Sequence, residues 1–357
     1  MRRNKIVLAL VCSSLVLAAC GGKSPSTSTG ATQSGANGAK KAALVIAQGG
    51  LGDGAYNDLA YKGFKAATAA TGVQGKPVES ADVVAQGEPL VRRAASSGYG
   101  LIVDLEFSHG DMLKKVAPDY PKVDFAIVNT VVNAPNVASL LFKEQEGSYL
   151  AGVLAAGMTT VSGNAKVNAQ KRIGVIGGTK STGIDKFIAG YIQGAQSVDP
   201  SMTVDVKYTN SFGDVAKGKQ TAEQMYASGD DVIYQIAGGA GAGVIEAAKE
   251  TNHYAIGVDS DQDSLAPGFV LTSMIKRTDL AVADAVKKFA AGTFPAGKTI
   301  IYGLKEGGVG LSDMTYTKKD VPADLSAKVT RAAEDIKSGK LKVWDVTAQG
   351  YPSWFKG

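Results

Sequence analysis

Two stretches of this chain bring together side chains whose types and spacing suit chemistry. The first is Gly49-Gly50-Leu51-Gly52-Asp53-Gly54, followed closely by Tyr56 and Asn57. The apolar run at 42–47 before it reads as a buried parallel strand, and Leu59, Phe64 and Ala67 after it share one helical stripe. Strand, glycine turn and helix form the opening unit of an open α/β sheet, where ligands sit at the carboxyl ends of strands. An aromatic and an amide at that place suit a planar, polar small molecule. The spacing Gly50-x-Gly52-x-x-Ala55 is also a variant of the dinucleotide fingerprint, whose amides hold a pyrophosphate at a helix start. A nicotinamide-dependent enzyme would further need an acid closing the second strand, which Glu79 offers only loosely. No hydride-transfer machinery accompanies the turn, and there is no P-loop.

The second stretch runs over residues 256–277. A strand ends in Asp259-Ser260-Asp261, a loop with Pro267-Gly268 follows, and the next strand ends at Lys276-Arg277. The segment resembles the ribose-binding-protein superfamily, in which an aspartate closing this strand takes a pair of sugar hydroxyls. The chemistry is sound, because a carboxylate only accepts hydrogen bonds and can receive two hydroxyls at charge-assisted strength. Lys276 is expected to donate to the same sugar and offset the buried charge, the alternative being a structural ion pair.

The elements that must hold these stretches alternate along the whole chain. Strands are expected at 77–80, 101–105, 124–128, 137–142, 172–177, 203–208, 231–237, 254–259 and 270–275. Helices are expected at 86–97, 147–158, 184–197, 215–227, 243–250 and 279–290. Such alternation means βα units and mainly parallel sheets. So many strands would overfill one open sheet, which favours two lobes. The chain of 357 residues, 45% hydrophobic, is long enough to bury both. The tail, with Trp344, Tyr351, Trp354 and Phe355, is expected to pack onto a lobe.

Charge and composition exclude several classes. Residues 1–19 read as a targeting leader, with Arg2, Arg3 and Lys5 before an apolar run too short to span a bilayer comfortably. The formal charge is +5, of which the leader carries three cations and no acid, leaving +2. That gives no electrostatic case for nucleic acid. Leu17-Ala18-Ala19-Cys20 resembles the lipobox of bacterial lipoproteins, which implies that Cys20 is lipidated and becomes the first mature residue. Cys12 would leave with the leader, so the mature body has no disulfide and no cysteine nucleophile. Residues 20–41 carry the lipidated Cys20 and a Gly/Ser/Thr/Ala tether, with a random-coil reach of roughly 25 Å. His109 and His253 are too few and too far apart for a metal site or a triad.

Taken in order, GGLGDGAYND, VASLLFKEQEGSYLAGVLAA, YTNSFGDVAKGK, IAGGAGAGVIEAAKE, GVDSDQ, VLTSMIKR and YGLKEGGVGL resemble the signature segments of the basic membrane protein family. Its members are lipoprotein substrate-binding subunits of ABC importers, commonly for purine nucleosides. The resemblance implies an α/β, type I periplasmic-binding-protein fold. Two lobes, each a mainly parallel sheet flanked by helices, are joined by three crossovers around a ligand cleft. The expected lobes are 42–130 plus 264–299, and 131–263 plus 300–357. The implied protein is no enzyme and uses no cofactor and no metal. It is a monomer anchored through Cys20 on the extracytoplasmic face of the membrane, and its partners are a nucleoside and the ABC permease and ATPase subunits.

Residue by residue, the resemblance puts Tyr56 and Phe212 on the two faces of a base and Asp259 on ribose. Asp53, Asn57, Gly238, Gly239 and Lys276 complete the ligand contacts it implies. The family usually has aspartates where this chain has Ala47, followed by Gln48, and Asn129. Glu106 and Asp111, either side of Phe107, are candidates to supply the missing acid. A donor-rich base edge prefers an acid, whereas Gln48 or Asn129 tolerates a mixed edge. The base is therefore left open among adenine, guanine, hypoxanthine and a pyrimidine. A sensory lipoprotein, or the same fold holding a free sugar or base, stays open as an alternative.

Overall fold

The computed structural model describes residues 40–355. The expected leader, Cys20 and all but the end of the tether lie outside the described residues. In chain order, β1 (Lys41–Val45), α1 (Tyr56–Thr71), β2 (Gln74–Val78), α2 (Val83–Ser96), β3 (Leu101–Asp104), α3 (Gly110–Val116), β4 (Asp124–Val128) and β5 (Val137–Phe142) come first. Then follow α4 (Glu144–Met158), β6 (Arg172–Gly177), α5 (Thr182–Val198), β7 (Thr203–Tyr208), α6 (Val215–Ala227), β8 (Val232–Ile236), α7 (Gly241–Thr251), β9 (Tyr254–Asp259) and β10 (Val270–Lys276). The chain continues through α8 (Thr278–Ala291), β11 (Thr299–Tyr302), β12 (Val309–Leu311), α9 (Ala323–Lys337) and α10 (Val346–Gln349).

The strands form two six-stranded sheets, ordered β11-β5-β4-β3-β1-β2 and β12-β10-β9-β8-β6-β7. Pairing is parallel except between β10 and β12. Each sheet is apolar on both faces, as buried parallel strands must be. Along β1, Leu44 and Ala42 share a core with Phe64 of α1 and Val282 of α8. The alternate residues Ala43 and Val45 share another with Val91 of α2 and Leu113 of α3. The second lobe repeats the scheme, with α4 and α5 on one face and α6 and α7 on the other. Glycines let α4 and α5 meet backbone to backbone, since a Cβ on Gly152 would lie 2.1 Å from Tyr191 O and one on Gly194 2.1 Å from Tyr149 O.

Three crossings join the lobes: β5 to α4, β10 to α8, and β11 to β12. They lie side by side, with Lys143 N donating to Tyr302 O at 3.0 Å and Arg277 N to Gly308 O at 2.9 Å. The pairing corrects the lobe boundaries expected from sequence. β5 and β11 belong to the first sheet and β10 to the second, so the crossings fall near 143, 277 and 303–308 rather than at 130, 263 and 299. Strands buried on both faces carry the same apolar signature in either sheet, so hydropathy does not reveal which sheet they join. The short strands β11 and β12 and the helix α9 complete the alternation beyond the expected elements. The aromatic tail packs on α5, where Trp344 N donates to Gln193 Oε1 at 2.9 Å and Tyr351 to Asp185 at 2.7 Å. Among the described residues, no helix is long and apolar enough to cross a membrane.

Candidate functional site

The turn after β1 is built by side chains that stay within it. Its glycines at 49, 50, 52 and 54 all have positive φ, a region that only glycine enters freely. Asp53 accepts from the amides of Ala55, Asn57 and Asp58 at 2.9–3.1 Å. Burial pushes its carboxyl up, and those amides pull it back only in part. Asp58 accepts from Gly52 N at 2.8 Å and Gly54 N at 2.9 Å. Asn57 accepts from Ala47 N at 2.9 Å and donates to Gln48 O and Asp53. The dinucleotide reading fails here, because two carboxylates hold the amides that a pyrophosphate would need and repel an anion.

The turn thereby aims Tyr56 into the space between the lobes. Its hydroxyl donates to Leu105 O at 2.9 Å and accepts from Asn129 Nδ2 at 3.2 Å. Asn129 Oδ1 is buried and has no hydrogen-bond partner among the described residues. Gln48 leans on Glu106 through its backbone amide at 3.1 Å and its side-chain amide at 3.3 Å. Glu106 also takes Ser108, at 2.7 Å to Oγ, so its carboxylate is already well bonded.

The second lobe supplies the opposite wall. Asn210, at φ 56°, turns the chain after β7 and leads to Phe212, whose ring lies over Gly178, where a Cβ would stand 2.3 Å from it. Asp259 ends β9 at φ 65°, an uncommon backbone for a residue with a side chain. The residue is 7% exposed, and its carboxylate makes no hydrogen bond among the described residues. Burial pushes its pKa up to about 7, with Lys276 opposing the rise.

The floor lies at the crossings. Glu144 receives Lys276 at 2.8 Å and Lys186 at 2.6 Å, with all three side chains nearly buried. Burial alone would raise the Glu144 carboxyl, but the two ammonium groups outweigh it and hold it below its usual range. Lys186 also donates to Phe142 O at 2.8 Å. The Lys276 ammonium lies 5.1–5.4 Å from the ring centres of Tyr56, Phe142 and Phe187.

Between these walls is a cavity of about 960 Å³, part of it open to solvent. It gathers Gln48, Asp53, Tyr56, Asn57, Asn129, Phe212, Gly238, Asp259 and Lys276. Asp53 and Asn57 line it with their polar atoms largely committed to the turn, and Lys276 lines it as Glu144's partner. Two expected residues are not brought in. Asp111 is exposed in the first turn of α3, and Gly239 faces Asp53 across the lobes, where a Cβ would meet Asp53 Cα at 3.7 Å. The lobes touch again where Ser260 Oγ donates to Gly54 O at 2.6 Å.

Sequence reasoning missed Glu144, Lys186, the α5 start at Ser181–Ile184, and Thr347, all of which line the cavity. Glu144 was detectable as an acid in the first turn of a helix whose later turns are apolar. Among the described residues, no three His, Cys, Asp or Glu side chains cluster as a metal site. His109 is spoken for structurally, its two nitrogens facing Asp104 at 2.8 Å and Val83 O at 2.9 Å.

Two α/β lobes, three adjacent crossings and a cleft lined by rings and carboxylates define a two-lobed receptor for a small solute. A family model described as "ABC transporter substrate-binding protein PnrA-like" matches residues 40–344. The chain is 36% identical to the "CD4+ T-cell-stimulating antigen" of Listeria innocua, covering 96% of this chain and 99% of that one. It is 36% identical to the "ABC transporter nucleoside-binding protein BmpA" of Lactococcus lactis, covering 85% and 88%. A solved solute-binding protein of an ABC transporter system from Aeropyrum pernix superposes with a TM-score of 0.80 at 30% identity, covering 86% and 93%. The chain belongs to the PnrA-like family of ABC transporter substrate-binding proteins, the basic membrane proteins. It is a solute-binding protein and not an enzyme, and its class works with an ABC permease.

Proposed function

We propose that the cargo is a nucleoside, a purine nucleoside foremost, held with its base between Tyr56 and Phe212 and its pentose on Asp259. The observation that carries this reading is the Asp259 carboxylate, nearly buried, unpaired, and in one cavity with two aromatic side chains. Hydrogen bonds to a charged acceptor are worth about 1.5–3 kcal/mol each, which a ligand offering hydroxyls gains. Stacking on aromatic side chains adds about 1–3 kcal/mol per base. Asn129 Oδ1 is a further unpaired acceptor, so a base edge that carries N–H donors suits this wall best. The name of the Lactococcus relative agrees with this reading.

Closure is a hinge motion at the three crossings, favoured only by ligands that touch both lobes. The protein works as a monomer, tethered through a lipid on Cys20 at the outer face of the membrane, and hands cargo to permease and ATPase subunits. Calorimetry of the mature protein against nucleosides, free bases and pentoses tests the cargo. Nucleosides should bind well above both fragments, and a pentose or base that matches them would contradict the reading. Cys20→Ser should move the protein from the membrane to the soluble fraction, and retention there would point to another anchor.

A further inference from the structure

We infer that the C-terminal segment is a wall of the cargo cleft, latched onto Asp185, and that it sets how cargo is held and released. Thr347 of α10 lines the same cavity as Tyr56, Phe212 and Asp259, beside the start of α5. The segment begins at Trp344, the last residue of the family match, and runs beyond it.

Some bonds shape the segment from within, and others fix it to the lobe. Asp345 accepts from Thr347 N at 2.9 Å, and Gln145 Nε2 reaches the same carboxylate at 3.4 Å. Trp344 Nε1 donates to Gly350 O at 2.8 Å. Tyr351 then donates its phenol to Asp185 Oδ2 at 2.7 Å. Asp185 is fully buried in the first turn of α5, next to Gly183 and Ile184 of the cavity wall. Its other oxygen takes the Tyr208 phenol at 2.6 Å, and Tyr208 ends β7 four residues before Phe212. One carboxylate therefore fixes the tail, the cleft wall and the root of the loop that carries Phe212. Two phenols converge on one carboxylate, so loosening the tail phenol loosens all three.

The inference rests on the cleft holding cargo, not on that cargo being a nucleoside. The chain's two tryptophans, Trp344 and Trp354, both lie in this segment, so their emission reports on it. The test titrates the intact mature protein with adenosine, guanosine, inosine, uridine, adenine and ribose, following tryptophan emission and calorimetry together. A probe that binds should shift the emission. Tyr351→Phe and Thr347→Phe should each change Kd or release rate by roughly threefold or more, given the strength of such bonds. Thr347 is exposed at the cavity edge, so T347F carries the test if Y351F folds poorly. Binding by calorimetry with unmoved emission and unchanged constants in T347F overturns the inference and leaves the nucleoside reading intact. If no probe binds the wild type, the nucleoside reading falls. Mass spectrometry then compares the small molecules that purified wild type and T347F retain, a difference supporting the wall and equal retention overturning it.

Discussion

Two buried carboxylates in one cavity have opposite surroundings, and the contrast separates framework from binding surface. Glu144, at the crossings, is gripped by Lys186 and Lys276 and held below its usual pKa range, against the pull of burial. Asp259, at the end of β9, has no side-chain hydrogen bond among the described residues and is pushed up to about 7 by burial. One cavity thus holds an acid locked in ion pairs at the lobes' junction and another whose carboxylate faces the cavity with no protein hydrogen bond among the described residues. The first-lobe turn belongs with Glu144, since Asp53, Asn57 and Asp58 spend their acceptors on its own amides.

The largest expected effect breaks the framework side. Glu144→Ala leaves two buried lysines without their acid and should cost about 3–5 kcal/mol of stability, read by urea unfolding. A loss near zero would mean that water reaches the pair and that the floor is not dry. Next, Phe212→Ala should weaken nucleoside binding by about 1–3 kcal/mol with an unchanged unfolding midpoint. Unchanged affinity would remove that ring from the site.

The smallest effect follows from protonation. Below pH 7 the ligand-free Asp259 is mostly protonated, whereas donated hydroxyls favour its ionised form. Affinity should therefore rise as pH rises through 7 and level off above 8, with about a tenfold gain, or ~1.4 kcal/mol, between pH 6 and 8. In the absence of ligand the sign for folding is opposite. The folded state holds an extra proton on Asp259 between its ordinary range and 7, so this group's contribution to stability falls as pH rises to 7. A flat affinity profile in calorimetry would place the carboxylate outside the binding step.

Much of this was legible in the sequence for a physical reason. Buried parallel strands leave continuous apolar runs, and β4, β5, β6 and β9 begin and end where those runs do. Glycines before Tyr56 and the acid at the end of β9 marked strand ends, which is where a cleft forms. What stayed hidden depends on three-dimensional pairing. Hydropathy does not say which sheet β5, β10 and β11 join, and that decides where the crossings lie. Asn57 and Asp53 looked like ligand contacts because an amide and an acid near a cleft suit a ligand and a capped turn equally. Thr347 gave no signal, since a hydroxyl in the tail reaches the cavity edge only through the tertiary docking of the segment, to which the Tyr351–Asp185 bond belongs.

Calorimetry of wild type and Asp259→Asn against adenosine and adenine tests the central claim most directly. The account predicts that D259N loses adenosine affinity by about 1.5–3 kcal/mol for each charge-assisted bond removed, while adenine binding barely moves. Equal losses for nucleoside and base, or none for either, would contradict a pentose held on Asp259.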